Sequence, residues 1–74
     1  MQLASIIGKG VLEPYSQTIE LHKPVSAALL PNLMKLPPEY HENIVAVKGR
    51  KVISTEELLY DEDEIVVFIS AMGG

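Results

Sequence analysis

Two glycines, Gly73 and Gly74, follow Ala71-Met72 and the apolar run Ile65-Val66-Val67-Phe68-Ile69. Glycine has no Cβ, so this ending holds its carboxylate on a thin, unhindered thread of backbone. Such a thread fits a channel too narrow for any side chain. The expectation is that the reacting group of the chain is the carboxylate of Gly74. The side chains offer little competition. There is no cysteine, which excludes disulfides, thiolate metal sites and cysteine catalysis. His22 and His41 lack metal-ligand spacing with another His or Cys and read as surface residues. Asp61-Glu62-Asp63-Glu64 lacks the glycine and the ligand spacing of a calcium loop, and reads as a solvated turn that could also dock on a basic partner. Ser5, Ser16, Ser26, Ser54 and Ser70 sit in no nucleophile motif. Tyr15, Tyr40 and Tyr60 read as packing residues. Gly8 and Gly10 precede no helix, so a nucleotide-binding loop is not expected.

The elements that must position this terminus have to fit into 74 residues, enough for one domain with a limited core. The apolar fraction of 47% belongs to a folded chain. No apolar stretch approaches the ~18 residues needed to span a membrane. The N-terminus lacks a basic segment followed by a long apolar one, so no signal peptide is expected, and with the absence of cysteine this fits a cytoplasmic protein. Net charge is −4. Glu56, Glu57, Asp61, Glu62, Asp63 and Glu64 crowd one stretch, while Lys48, Arg50 and Lys51 form the one basic cluster and read as a solvated hairpin tip. Such an acidic skin argues against nucleic acid as a partner and suits a basic protein groove.

Met1 to Ile7 reads as a strand. Gly8, Gly10 and Pro14 punctuate a turn. Tyr15 to Leu21 alternates, with Tyr15, Gln17, Ile19 and Leu21 on one face, and is expected to return as the second arm of a hairpin. Lys23-Pro24-Val25-Ser26 opens a helical period in Leu29, Leu33 and Leu36, with Leu30 beside them. Pro31 must kink this helix, or split it into a short turn and a second piece from Asn32. Pro37-Pro38 ends it, and a polar loop follows to Asn43. Ile44 to Val47 and Lys51 to Ile53 read as strands around a Gly49-Arg50 turn. Ser54-Thr55-Glu56-Glu57 looks like the cap and first turn of a brief helix. Asp61 to Asp63 is a turn, and Glu64 to Ile69 the last strand.

One main helix must lie on one face of a single mixed sheet of four to five strands, which makes an α+β domain of two layers. The long connection through the helix permits a crossover that sets the first and last strands side by side and parallel. The last strand fails to alternate in polarity. With Ile65, Val67 and Ile69 under the helix, Val66 and Phe68 face outward uncovered, and Ala46 is expected to join them. An exposed apolar patch of this kind marks an interaction site. Burial between layers or by self-association is the competing reading.

The order of elements, Ile44-Val45-Ala46-Val47-Lys48-Gly49, the acidic turn Asp61-Glu62-Asp63-Glu64 with Ile65-Val66, and the final Gly73-Gly74 together resemble the β-grasp fold of ubiquitin-like proteins. The closer resemblance is to its sulfur-carrier branch, the ThiS and MoaD families. The architecture covers residues 1–74 as a single domain with 70–74 as a flexible tail, and the sequence match runs from about Ile44 onward. The chain departs from the family pattern at Glu62, where Gly is common, at Lys48, where Asn is frequent, in lacking proline in the tail, and in Pro31.

The resemblance implies a chemistry. An ATP-dependent activating enzyme adenylates the Gly74 carboxylate. Sulfur from a persulfide donor displaces AMP, and the resulting thiocarboxylate delivers sulfur to a synthase of cofactor biosynthesis. The stretch from Pro31 to Asn43 tilts the comparison toward the molybdopterin (MoaD) branch over the thiamine thiazole (ThiS) branch. The chain would then be a carrier and not an enzyme, with no bound cofactor, ATP being used by the activating partner. Gly73 and Gly74 would form the reacting terminus, and Phe68, Val66, Ala46 and Met72 the partner contacts. A ubiquitin-like modifier joined to lysines, and a non-covalent β-grasp interaction module, are the alternatives.

Overall fold

A computed structural model describes residues 3–70. Their elements follow in the order β1 (Leu3–Gly8), a 3-10 turn (Gly10–Tyr15), β2 (Gln17–Glu20), β3 (Val25–Ser26), a 3-10 turn (Ala27–Leu29) and α1 (Leu30–Leu33). A third 3-10 turn (Pro38–Tyr40), β4 (Ile44–Lys48), β5 (Lys51–Ile53), β6 (Leu58–Leu59) and β7 (Glu64–Ile69) complete them. The result is a small α+β domain built on a mixed five-stranded sheet of order β2-β1-β7-β4-β5, with a separate two-stranded ladder of β3 and β6.

β1 and β7 are parallel neighbours at the centre, Ile6 opposite Ile65 and Ile7 opposite Val66. The remaining ladders, β1 with β2, β7 with β4 and β4 with β5, are antiparallel. Alternation decides which side chains are covered. Ala4 and Ile6 of β1, Ala46 of β4, and Ile65 and Val67 of β7 point to one face. There they meet Leu12, Leu21, Ala27, Leu30, Met34, Leu36 and Leu59 in one core.

The segment between the first two strands is more than a turn. Its 3-10 turn folds back over the end of β1 and buries Leu12 completely. Gly8 is required at the crossing, because a Cβ there would collide with the Leu12 carbonyl. The Gly8 N–H, 2.9 Å from Ser16 Oγ, ties the entry to β2 onto β1.

The helix is shorter than its leucines suggest. Pro31 occupies the first turn of α1, where its missing N–H costs no hydrogen bond. The piece before it is the 3-10 turn, so the period splits at the proline. The rephasing exposes Leu29 at 43% and buries Leu30 and Met34 in place of a Leu29–Leu33 stripe. α1 ends in a Schellman motif. Lys35 lies in the left-handed region at φ 58°, the Leu36 N–H reaches the Pro31 carbonyl at 3.0 Å, and the Lys35 N–H reaches the Asn32 carbonyl at 3.1 Å.

Ser54 to Glu57 form a turn and not a helix. The Glu57 N–H bonds the Ser54 carbonyl at 3.1 Å. The carbonyls a helix would need are taken across the layer: Thr55 accepts from the Ala28 N–H at 3.1 Å and Glu57 from the Ala27 N–H at 2.8 Å. These bonds lead into the β3–β6 pair, where Val25 faces Leu59. No helix of the described residues is long and apolar enough to cross a membrane.

Candidate functional site

One face of the sheet carries the helical layer, and the other carries nothing among the described residues. The open face is apolar at its middle. Across four strands Ile7, Val66, Val47 and Val52 form one row, and beside it Phe68 of β7 stands opposite Val45 of β4. Ile7, Val45, Val47 and Val66 are half-buried, Phe68 is 36% exposed and Val52 64% exposed. Polar residues bound the patch on the β1 side, where Thr18, Ser5 and Glu64 form the next row.

Two of the expected contact residues, Val66 and Phe68, therefore lie on the open face. Ala46 does not join them. It pairs with Val67 in register, so it shares the covered face and is buried. Strand periodicity assigns the places instead to Val45 and Val47, one residue either side of it. Met72, Gly73 and Gly74 lie outside the described residues. The chain is last described at Ser70, two residues beyond Phe68, where the Ser70 N–H donates to the Asn43 carbonyl at 2.7 Å. The exit toward the terminus is thus fixed against the start of β4, next to the Phe68–Val45 pair. Ser70, the first residue of the expected tail, is held at this point.

The acidic turn has a structural member and three outward ones. The Asp63 carboxylate accepts from the Tyr60 N–H at 2.8 Å and pairs with the Lys48 ammonium at 3.1 Å. The same ammonium stands 5.3 Å from the centre of the Tyr60 ring, within cation–π range. Lys48 is thereby taken out of the solvated tip, which keeps Arg50 and Lys51. Asp61, Glu62 and Glu64 are exposed. Glu62 sits at φ 69°, a left-handed position that glycine fills at lower cost. Its N–H bonds the Leu3 carbonyl at 2.6 Å, and the Asp63 carbonyl accepts from the Ser5 N–H at 2.9 Å, so the turn is stitched to β1.

The two histidines have different surroundings. His41 Nε2 lies 2.8 Å from the Leu36 carbonyl, and His22 is an exposed neighbour of Glu20 at 3.6 Å. Among the described residues no group of three His, Asp or Glu gathers as metal ligands would.

A cleft of about 290 Å³ opens on the covered side, between the helical layer and the β4–β5 pair. Ala27, Pro31, Asn43, Ile44, Ile53 and Thr55 are among the residues that line it. Nothing in the leucine spacing announced it.

No protein-family model matches the chain, and no curated protein matches it.

Proposed function

We propose that this protein is a sulfur carrier of β-grasp architecture, similar to the ThiS and MoaD families. Its working parts are a reacting terminus at Gly73-Gly74 and a docking face around Phe68, Val66, Val45 and Val47. The β-grasp reading draws support from the strand order β2-β1-β7-β4-β5, with a parallel central pair and helical turns on one face. The observation that carries the functional reading is the position of Phe68. It stands exposed on the open face, paired with Val45, two residues before the point where Ser70 leaves the sheet. A partner that grips this patch holds the domain next to the start of the thread that ends in the carboxylate.

The chemistry follows from what a carboxylate lacks. It is a poor electrophile, so an ATP-dependent activating enzyme transfers AMP to the Gly74 carboxylate and releases pyrophosphate. The outer sulfur of a protein persulfide then attacks the acyl carbon and displaces AMP, giving an acyl disulfide. A thiol of the sulfur donor cleaves its S–S bond, the donor leaving as a disulfide, and the thiocarboxylate so released passes sulfur to a synthase of cofactor biosynthesis, with molybdopterin ahead of the thiamine thiazole. The chain contributes the acyl group and the docking face, and the partners contribute the catalytic groups.

Mass spectrometry of the protein produced with its activating enzyme tests this. The expected product is heavier by the exchange of one oxygen for sulfur at the C-terminus. Deletion of Gly74 should abolish ATP–pyrophosphate exchange and leave the melting temperature unchanged, since a terminal thread buries little. Lysine-linked adducts on other proteins would replace the carrier reading with a modifier. Full activity without Gly73 and Gly74 would replace it with a non-covalent module.

A further inference from the structure

We propose that the outer edge of β5 is a self-association site, at which two copies of the chain pair antiparallel about Val52 and join their sheets into one.

The first observation is the state of that edge. β5 ends the sheet order and has β4 on one side only. Its connection to β4 is a two-residue loop, Gly49-Arg50, with both residues at positive φ (60° and 69°). In such a hairpin the flanking residues, Lys48 and Lys51, are the hydrogen-bonded pair. The next pair, Val47 and Val52, is then non-hydrogen-bonded, and the Val52 N–H and C=O point away from β4. They have no hydrogen-bond partner among the described residues. A second strand laid on this edge would take up both groups.

The second observation is the side chain at the same residue. Val52, at 64%, is the most exposed large hydrophobic residue of those described. It ends the apolar row that begins at Ile7. Pairing β5 with a second β5 sets the two Val52 side chains side by side and extends the row into Val47 of the other copy, as cross-strand apolar pairs favour.

Charge selects a second copy as the occupant. Arg50 and Lys51 stand at one end of the edge, Glu56 and Glu57 beyond the other, and all four are exposed. None of them makes an ion pair with another described residue. An antiparallel two-fold centred on Val52 puts Lys51 opposite Ile53 and Arg50 opposite Ser54 of the other copy. The basic turn of each copy then runs beside the acidic turn of the other, twice by symmetry. A parallel pairing would bring like charges together.

β5 has three residues, so the contact buries less than the roughly 1,000 Å² of a specific stable interface. Association is accordingly weak and concentration-dependent. It leaves Phe68, Val45 and the exit at Ser70 uncovered, and so stands apart from the carrier reading.

Sedimentation velocity of the full chain from about 10 µM to about 1 mM tests the proposal, with dimer expected to accumulate toward the upper end. Val52→Pro removes the outward N–H and no bond to β4, so circular dichroism should be unchanged while association weakens about tenfold or more. Arg50→Glu with Lys51→Glu, and separately Glu56→Lys with Glu57→Lys, should each give a monomer. An equimolar mixture of the two charge-reversed proteins should associate again. A chain that stays monomeric at 1 mM, or a mixture that fails to associate, would overturn the proposal. So would association that survives Val52→Pro but is lost in Phe68→Asp, which would locate the contact on the open face.

Discussion

Val67 and Phe68 are adjacent and both apolar, yet Val67 is fully buried and Phe68 is 36% exposed. The difference is the strand's two-residue period, which sends successive side chains to opposite faces. That period made the pair legible in the sequence, because a last strand with no polar alternation on a one-sided sheet must show an apolar face. It did not make Ala46 legible. Placing Ala46 requires the register between β4 and β7, and a short small residue between two valines carries no signal of direction. Phe68→Asp is predicted to leave urea-unfolding stability within about 1 kcal/mol, since the residue sits on the open face. On the proposed carrier reading, the same change should lower the rate of ATP–pyrophosphate exchange with an activating enzyme about tenfold or more, through loss of a central aromatic contact. Unchanged exchange in a folded variant would remove Phe68 from the docking face. Asp63 shows a different kind of residue, hidden inside an acidic run. Composition alone reads that run as solvated, and only the fold reveals that one of its carboxylates is held by Lys48 and the Tyr60 N–H.

Elements with a strong internal signal formed close to where expected, although the alternating Tyr15–Leu21 run is a strand only over Gln17–Glu20, Tyr15 ending the 3-10 turn. β5 and β7 match their expected bounds, and β4 extends one residue further, because the Gly49-Arg50 turn and the acidic turn delimit them. Those without one did not. β3 and β6 are two residues each, too short to show a period, and exist because they find each other. Their neighbour, Ser54–Glu57, has the sequence of a helix cap, but its carbonyls are engaged by the backbone of Ala27 and Ala28. The leucines from Leu29 to Leu36 imply one helix, and Pro31 permits only one turn of it plus a 3-10 lead. The end of that turn invites a test. Lys35 adopts a left-handed conformation, which costs an L-residue with a Cβ roughly 1–2 kcal/mol. Lys35→Gly relieves this and gives up part of the gain to a more flexible unfolded chain. The expected net is a stabilisation of about 0.5–1 kcal/mol, seen as a melting temperature raised by about 2–8 °C.

Across the whole molecule, the crossover between the first and last strands was the largest inference from sequence, and the parallel β1–β7 pair bears it out. It was legible because one helical segment and one sheet leave few ways to connect the remaining strands. The cleft beside Pro31 was not, since it depends on how the helical layer sits against β4 and β5, which spacing within one segment does not give. The central pair also sets an order of stability. Amides of β1 and β7 are flanked by strands on both sides and lie over the fully buried Ile6, Ile65 and Val67. Hydrogen exchange should find them opening only with global unfolding, while the outward Val52 amide of β5 exchanges early. Early exchange of the Val67 amide would contradict this.

The parallel setting of β1 and β7 has a mechanical consequence. A pull on the chain beyond Ser70, opposed at the N-terminal end, draws the two strands lengthwise past each other. The load falls on the rungs of the central ladder together, in shear, whereas an antiparallel pair pulled from one end would open rung by rung like a zipper. The domain can therefore be pulled by the chain beyond Ser70 and resist as a single unit.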